Sequence, residues 1–298
     1  MQPNLFSGCS KFYSHYPGWF DMLDKFNQGW RFALGSWRLI FLVYFLLLML
    51  VLPIGMQIYH VMDASIGNSL SLQTLLKDYD HTVWMDLLNV HGASLSPLLG
   101  QLRWIVPFYL LIAVFLQAGL MGAVFQNSPK WKTFWEQGAH WYFSFLKIGL
   151  FFLIFFLLGM LIIWLPFSMY IININEWLVD ETSLVWLFFT TIFFTIIFFS
   201  LVFIWSVRSR FFKMENQDTG IFKAIKMGGK QFGKNLIKYL FLYLFISLPA
   251  ILFFVLYNVL EAKWGMISPA LVWMFVFFQQ IFILLRIGLR IALYKAFL

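Results

Sequence analysis

Charged side chains are scarce in this sequence of 298 residues. They make up 11% of the residues, whereas hydrophobic residues make up 61% and aromatic residues 21%. A soluble domain carries about 25% charged residues, and a soluble fold of this size could not bury so much phenylalanine and leucine. The composition therefore excludes an ordinary soluble domain.

Two further absences bear on the compartment. The sequence holds one cysteine, Cys9, so it cannot form an internal disulfide and gives no sign of an oxidising compartment. It also has no N-x-[ST] glycosylation sequon, which favours a bacterial membrane over a eukaryotic secretory one. We therefore expect a protein of a bacterial inner membrane.

Long apolar runs are what the sequence has instead. A membrane-spanning helix needs about 20 mostly apolar residues, because the hydrocarbon core is about 30 Å thick and a helix rises about 1.5 Å per residue. Six runs meet this requirement and predict six spans: residues 39–59, 104–125, 148–170, 184–205, 239–257 and 271–292. The predicted fold class is an all-α membrane protein with six transmembrane helices.

The connections between the predicted spans alternate in charge. Lysine and arginine are concentrated before the first span, between the second and third, between the fourth and fifth, and after the sixth, whereas the other connections are mainly acidic. By the positive-inside rule, both termini are cytoplasmic. The net charge of +8 is thus a topology signal. No nucleic-acid partner is expected, because the sequence predicts no basic soluble domain.

A short repeat precedes each odd-numbered span. In each copy a glycine is followed three residues later by an aromatic residue and nine residues later by a basic one. The copies are Gly29, Phe32 and Arg38; Gly138, Trp141 and Lys147; and Gly229, Phe232 and Lys238. The repeat predicts three helical hairpins, each preceded by a cytoplasmic amphipathic interfacial helix. An alternative stays open, because lysine and aromatic residues occur at the interfaces of many membrane proteins.

These features divide a single membrane domain, residues 1–298, into four segments. They are a cytoplasmic segment with an interfacial helix (1–38), hairpin 1 (39–125), an interfacial helix with hairpin 2 (126–205), and a basic interfacial helix with hairpin 3 (206–298). Hairpin 1 contains the one sizeable outer loop, residues 60–103. In that loop we expect two short helices, the second ending at Gly92.

The third copy of the repeat is the most basic. An apolar stripe recurs at helical spacing, formed by Phe222, Ile225, Gly229, Phe232 and Leu236. Four lysines fall on another face: Lys223, Lys226, Lys230 and Lys234. We expect this helix to lie in the headgroup region with its lysines near anionic phosphates, each worth about 1 kcal/mol. Together with Lys147 and Arg38, these lysines are the predicted lipid or partner interface.

Polar and small residues in the helices predict sites of helix packing. An amide in lipid needs a hydrogen-bond partner, so it should face a neighbouring helix, the alternative being contact with a polar substrate. Glycine lets two helices approach closely. The predicted packing residues are Gln117, Gln279, Gln280, Gly119, Gly122, Gly29, Gly138 and Gly229.

The sequence offers few groups for chemistry. None of the six spans has an Asp, Glu, Lys or His in its central part, which counts against an ion-coupled transporter. Arg286 and Arg290 lie near the cytoplasmic end of the last span, where we expect them to snorkel. In the outer loop, His81 and His91 lack the i, i+4 spacing of a zinc helix, and no nucleophile-elbow sequence accompanies them. We therefore predict no catalytic, cofactor-binding or metal-binding residue.

The order of these features resembles an uncharacterised bacterial family of integral membrane proteins. The likeness rests on RLIFLVYFLLLMLVLPIGM in the first span, IGNSLSLQTLLKDYDHTVWMDLL in the outer loop, FLQAGLMGAVF in the second span and FWEQGAHWYFSFLKI before the third. It covers most of the chain, and it implies no activity.

The absence of catalytic residues, the basic helices and the short loops predict a non-catalytic role. We expect an accessory or scaffold subunit that contacts anionic lipid headgroups at the cytoplasmic face and packs against other membrane proteins, with no cofactor. The first alternative is a permease or lipid-handling subunit, which should have a continuous polar or wide apolar cavity containing Gln117 or Gln279. The second is a membrane-embedded enzyme.

Overall fold

Eight α-helices form in the part of the chain that the computed structural model describes, residues 19–66, 81–173, 181–265 and 268–298. They are α1 (Trp19–Gly35), α2 (Trp37–Ile66), α3 (His81–Phe125), α4 (Trp131–Asn173), α5 (Glu181–Glu215), α6 (Ile221–Lys234), α7 (Leu236–Trp264) and α8 (Pro269–Phe297). A helix satisfies its backbone hydrogen bonds within one segment, which suits a chain so rich in apolar residues.

Six of these helices, α2 to α5, α7 and α8, are long and apolar enough to cross a membrane. Their apolar segments are Trp37–His60, Arg103–Phe125, Trp131–Tyr170, Thr182–Glu215, Leu236–Trp264 and Pro269–Phe297. Each predicted span lies inside one of these segments. The prediction of an all-α chain with six helices fit to span a membrane is therefore confirmed by length and composition.

Two of the three repeat copies are separated from the following span by a break in the helix. Ser36 stands between α1 and α2, and Asn235 stands between α6 and α7. At both breaks the backbone N–H donates to the carbonyl three residues earlier, that of Ala33 at 3.0 Å and that of Phe232 at 3.1 Å, which tightens the last turn of the helix. The second copy has no break, because α4 runs through it.

The residue six positions after each repeat glycine differs among the three copies. It is Gly35 in the first copy and Asn235 in the third, but Ser144 in the second. Gly35 is the last residue of α1 and Asn235 follows α6, whereas α4 runs through Ser144. Neither Gly35 nor Asn235 has the positive φ of a left-handed helix cap.

The predicted helix end at Gly92 is wrong. α3 runs without interruption from His81 to Phe125, so the second helix expected in the outer loop and the second span are one element of 45 residues. A glycine costs a helix about 1 kcal/mol relative to alanine, which is too little to end so long a helix. The first helix expected in that loop lies outside the described residues.

The chain divides into two compact units. Unit 1 comprises Met1–Asn27, His140–Leu244 and Ala296–Leu298, and unit 2 comprises Gln28–Ala139 and Phe245–Lys295. The core of unit 1 is apolar and joins α4, α5 and α6 through Ile148, Phe152, Val202 and Ile225. The rings of Phe152 and Trp205 meet edge to face, with centroids 5.2 Å apart, a favoured aromatic geometry.

In unit 2, a tight turn joins α3 to α4. Asn127 has a positive φ of 51°, which asparagine tolerates better than most residues. The N–H of Ser128 donates to the carbonyl of Ala123 at 3.0 Å, and the N–H of Asn127 donates to that of Val124 at 3.1 Å. This is the Schellman motif, which satisfies the last carbonyls of a helix. It turns the chain directly from α3 into α4.

Two glycines allow the end of α3 to lie against the start of α4. Gly119 and Gly122 are both buried. A Cβ atom at position 119 would lie 2.8 Å from the carbonyl oxygen of Phe134, and one at position 122 would overlap the Cβ of Gln137. Both glycines, which the sequence marks as packing residues, therefore lie where α3 and α4 touch.

Buried side chains are concentrated towards one end of the long helices in each unit. In α5 of unit 1, the buried residues other than Thr191 lie between Ser200 and Met214, whereas Trp186 is 70% exposed. In α3 of unit 2, a buried run begins at Leu116, whereas Trp104 is 80% exposed. Apolar surface of this extent is covered by lipid or by another protein.

Candidate functional site

α6 packs directly on the backbone of α5. The turn between them is held by the Lys213 ammonium group, which donates to the carbonyl of Gln217 and, at 2.7 Å, to that of Thr219. Gly228 is buried, and a Cβ atom there would lie 2.6 Å from the Cα and 2.8 Å from the backbone nitrogen of Ser209. No other residue type would allow the two helices this spacing.

The repeat glycine Gly229 serves a neighbouring contact. The indole N–H of Trp205 donates to the carbonyl of Ile225 at 3.0 Å, although that carbonyl lies inside α6. A Cβ atom at Gly229, one turn further along, would lie 2.7 Å from the indole nitrogen. The absence of a side chain at 229 is therefore what lets Trp205 reach the α6 backbone.

The four lysines of α6 point away from α5. The buried residues of this helix are Ala224, Ile225, Gly228 and Phe232. With 3.6 residues per turn, Lys223, Lys226, Lys230 and Lys234 lie on the opposite face, and all four are exposed. The exposed face of α6 thus carries four lysines and no acidic residue.

The apolar stripe of α6 differs from the expected one. Ile225 and Phe232 are buried within the protein, but Phe222 is 78% exposed. The sequence predicts a helix in the headgroup region with this stripe towards the bilayer. Ile225 instead packs against α4 and α5, and Phe222 is the exposed large apolar side chain of the stripe.

A buried arginine ties the end of the chain to the same region of unit 1. Arg208 of α5 is 7% exposed. Its guanidinium donates to the backbone carbonyl of Phe297, the last residue of α8, and to Oε1 of Gln231 at 2.8 Å. It also lies 5.3 Å from the ring centroid of Tyr239, a cation–π distance. A positive charge beside the carbonyls that end a helix is favourable.

The remaining residues of the predicted interface are exposed, and the remaining repeat glycines are buried. Arg38 and Lys147 are exposed, and Gly29 and Gly138 are buried. A Cβ atom at Gly138 would lie 2.9 Å from the ring of Phe115, so this repeat glycine also stands at a close approach.

Two of the three predicted packing amides form hydrogen bonds. Nε2 of Gln279 donates to the hydroxyl of Tyr257 at 2.8 Å, which joins α8 to α7. Oε1 of Gln280 accepts from the hydroxyl of Tyr44 at 2.8 Å, which joins α8 to α2. The third amide, that of Gln117, has no hydrogen bond to any residue that the structure describes.

Gln117 instead lines a cavity of about 110 Å³ in unit 2. It is open on one side, and three helices line it: Val43 and Leu47 from α2; Tyr109, Ala113, Leu116, Gln117 and Leu120 from α3; Ile283, Arg286, Ile287 and Arg290 from α8. Its walls are mostly apolar, with two guanidinium groups, one amide and one phenol among them. Arg286 and Arg290, which the sequence places near the cytoplasmic end of the last span, line this cavity.

Sequence reasoning missed three of these features. Gly228 stands beside the repeat glycine, so the Gly-Gly pair was the available signal for close packing. Arg208 follows an apolar run. The sequence does not distinguish a buried arginine at that position from an exposed one that sets the topology. Arg286 and Arg290 are spaced four residues apart, which places them on one helix face but does not show what that face meets.

Cationic and neutral polar side chains predominate among the polar groups at the α6 face and at the cavity. Among the described residues, no group of three or more His, Cys, Asp or Glu side chains could hold a metal ion. The groups that the folded chain gathers are cationic or neutral polar: lysines on α6, arginines and an amide at the cavity. Such groups bind anions.

Six long apolar helices place the chain in the class of multi-pass α-helical membrane proteins. No family model, curated protein or solved structure matches the chain. The resemblance to a bacterial membrane-protein family therefore stays a prediction.

Proposed function

We propose that this protein is a non-catalytic accessory or scaffold subunit of a bacterial inner membrane. In this proposal both termini are cytoplasmic, and the six spans form three helical hairpins, each led by an interfacial segment. The basic face of α6 holds anionic headgroups of the cytoplasmic leaflet, and the exposed apolar halves of the spans pack against lipid and partner membrane proteins.

The observation that carries this proposal is the docking of α6. A helix whose apolar face is already used on α5 does not need to insert into the bilayer to be stable. Its four lysines are held on the opposite face, where each contributes about 1 kcal/mol of attraction to an anionic surface. The exposed Phe222 beside them can enter the headgroup region as an anchor.

The accessory role is tested by native mass spectrometry of the protein extracted gently from its own membrane. We expect it to emerge in a fixed stoichiometry with other membrane proteins, because large apolar surfaces on α3 and α5 are available for packing. The matched control is the same chain overproduced alone, which should lack those masses. Emergence of the native protein as a bare monomer would rule out the accessory role.

The lipid attachment is tested by changing Lys223, Lys226, Lys230 and Lys234 together to glutamine. We expect the full-length protein in nanodiscs to melt at a higher temperature with phosphatidylglycerol than with phosphatidylcholine, and the four-glutamine variant to show a smaller difference. A variant with arginine at the same positions keeps the charges and should keep the difference. Equal behaviour of the glutamine and arginine variants would contradict the assigned role of the lysines.

A second candidate function is lipid or apolar-solute handling, and the cavity beside Gln117 favours it. The cavity holds one small group, and the described residues do not outline a continuous path across the unit. It therefore supports a binding site within a lipid-handling subunit better than a permeation route.

A further inference from the structure

We propose that the cavity between α2, α3 and α8 is a binding site for one anionic amphiphile. Its charged headgroup, a phosphate or a carboxylate, lies between Arg286 and Arg290, and its apolar chain follows the aliphatic wall formed by α3 and α8. This site is separate from the basic face of α6 and goes beyond the surface attachment proposed above.

The first argument is the cost of the two arginines. Arg286 and Arg290 belong to a helix fit to span a membrane and lie inside the predicted span 271–292, six and two residues from its end. Charged side chains in such segments are expensive, and they mark sites where a polar group or an ion is met. Two like charges four residues apart also repel each other.

The second argument is that neither arginine has a partner among the residues that the structure describes. In the described part of the chain, neither guanidinium forms an ion pair or a hydrogen bond. Arg208 provides the contrast, because it is buried and is paired with neutral acceptors of the protein itself. Arg286 and Arg290 are exposed, so their donors are available to a ligand.

The third argument is the geometry of the headgroup position. Residues four apart on a helix have Cβ atoms about 5–6 Å apart, a span that one phosphate or carboxylate can bridge. Guanidinium groups bind both anions through paired N–H donors. The amide of Gln117 and the hydroxyl of Tyr109 line the same cavity and have no hydrogen bond to a described residue, so both can donate to the same headgroup.

The fourth argument concerns the apolar part of the ligand. Leu116, Leu120, Ile283 and Ile287 line the cavity beside the arginines. A wholly water-soluble anion would leave this wall unused, whereas an acyl chain would cover it. The cavity volume of about 110 Å³ suits a headgroup with the first part of a chain, the rest lying along the exposed outer surface of α3.

The test compares Arg286→Gln/Arg290→Gln with the wild-type full-length protein. Each is delipidated in detergent, incubated with phosphatidylglycerol, and examined by native mass spectrometry. We expect the wild type to retain one phosphatidylglycerol and no phosphatidylcholine, and the double variant to retain about tenfold less. Arg31→Gln/Lys130→Gln removes the same charge at two exposed positions outside the cavity lining and should retain the lipid as the wild type does.

A second variant keeps both charges and fills the cavity. Ala113→Leu adds three carbon atoms at the wall of α3 and should reduce lipid retention although Arg286 and Arg290 remain. Because neither arginine has a partner among the described residues, the lipid-free double variant is expected to melt within a few degrees of the wild type. Lipid retention can then be compared between folded proteins.

Two further measurements distinguish a lipid headgroup from a free phosphate as the bound anion. Inorganic phosphate and glycerol phosphate are added to the lipid-free wild type, and the melting temperature is measured. We expect neither to raise it as phosphatidylglycerol does. If the soluble phosphates raise it equally, the amphiphile is the wrong ligand and the proposal fails. Undiminished retention of phosphatidylglycerol by Arg286→Gln/Arg290→Gln would overturn it as well.

Discussion

Replacing Arg208 with leucine is expected to lower the melting temperature of the detergent-solubilised protein by about 10 °C. Arg208 is buried and donates to the Phe297 carbonyl and the Gln231 amide oxygen. Without it, both acceptors are left with an unmet hydrogen bond, at a cost of about 1–3 kcal/mol for each buried group. The end of α8 also loses the positive charge that favours its carbonyls.

Three variants make this prediction specific. Arg31→Leu removes an exposed arginine and should change the melting temperature by no more than a degree or two. Arg208→Lys keeps the charge but lacks the planar fork needed to serve two acceptors, so an intermediate loss is expected. Removal of Phe297 and Leu298 takes away one acceptor and should reproduce part of the loss. If the Arg208→Leu and Arg31→Leu variants have the same melting temperature, the buried contacts of Arg208 do not stabilise the fold.

The second large effect is expected for Gly228→Ala. The new methyl group would lie 2.6 Å from the Cα and 2.8 Å from the backbone nitrogen of Ser209, and no side-chain rotation can relieve a clash with backbone. Overpacking of this kind costs about 1–3 kcal/mol, which corresponds to a fall in melting temperature of several degrees. α6 should move off α5 and become more sensitive to trypsin, because its four lysines are cleavage sites.

The control for this variant lies on the same helix. A Cβ atom at Gly233 would meet nothing within 4 Å, so Gly233→Ala tests the intrinsic helix preference alone. It should be neutral or should stabilise α6 by about 0.5–1 kcal/mol. If both substitutions leave stability and trypsin cleavage unchanged, α6 is not packed on α5 as closely as the distances indicate.

The sequence predicted the lysine-bearing side of α6 but not its docking. Lysine spacing alone places the four ammonium groups on one face of the helix. Whether the apolar face meets lipid or protein depends on the surface of α5. Ser209 is small enough for α6 to approach, and Trp205 lies where its indole N–H can donate to the α6 backbone. The neighbouring glycines, Gly228 and Gly229, acquire separate tasks only when that contact exists.

The two helix breaks were only partly readable from the repeat. The repeat glycines mark equivalent places, but Gly35 and Asn235 end a helix whereas Ser144 does not. The copies differ at the sixth residue after the repeat glycine, inside the motif. Two copies of the repeat therefore form a helix that ends before the following span, and one copy forms a helix that continues into it.

The sequence by itself determined the all-helical class and the six apolar spans, because mean hydropathy over about 20 residues is a local property that needs no partner. Only the tertiary structure decided which side of each span meets another helix. Spans that are apolar all round carry no periodic signal of their orientation. Arg208 finds its carbonyl 89 residues away, and the cavity draws its walls from α2, α3 and α8. Those contacts depend on the rotation of each helix about its own axis within its unit. Side-chain volumes and close backbone approaches determine that rotation only once the helices pack together.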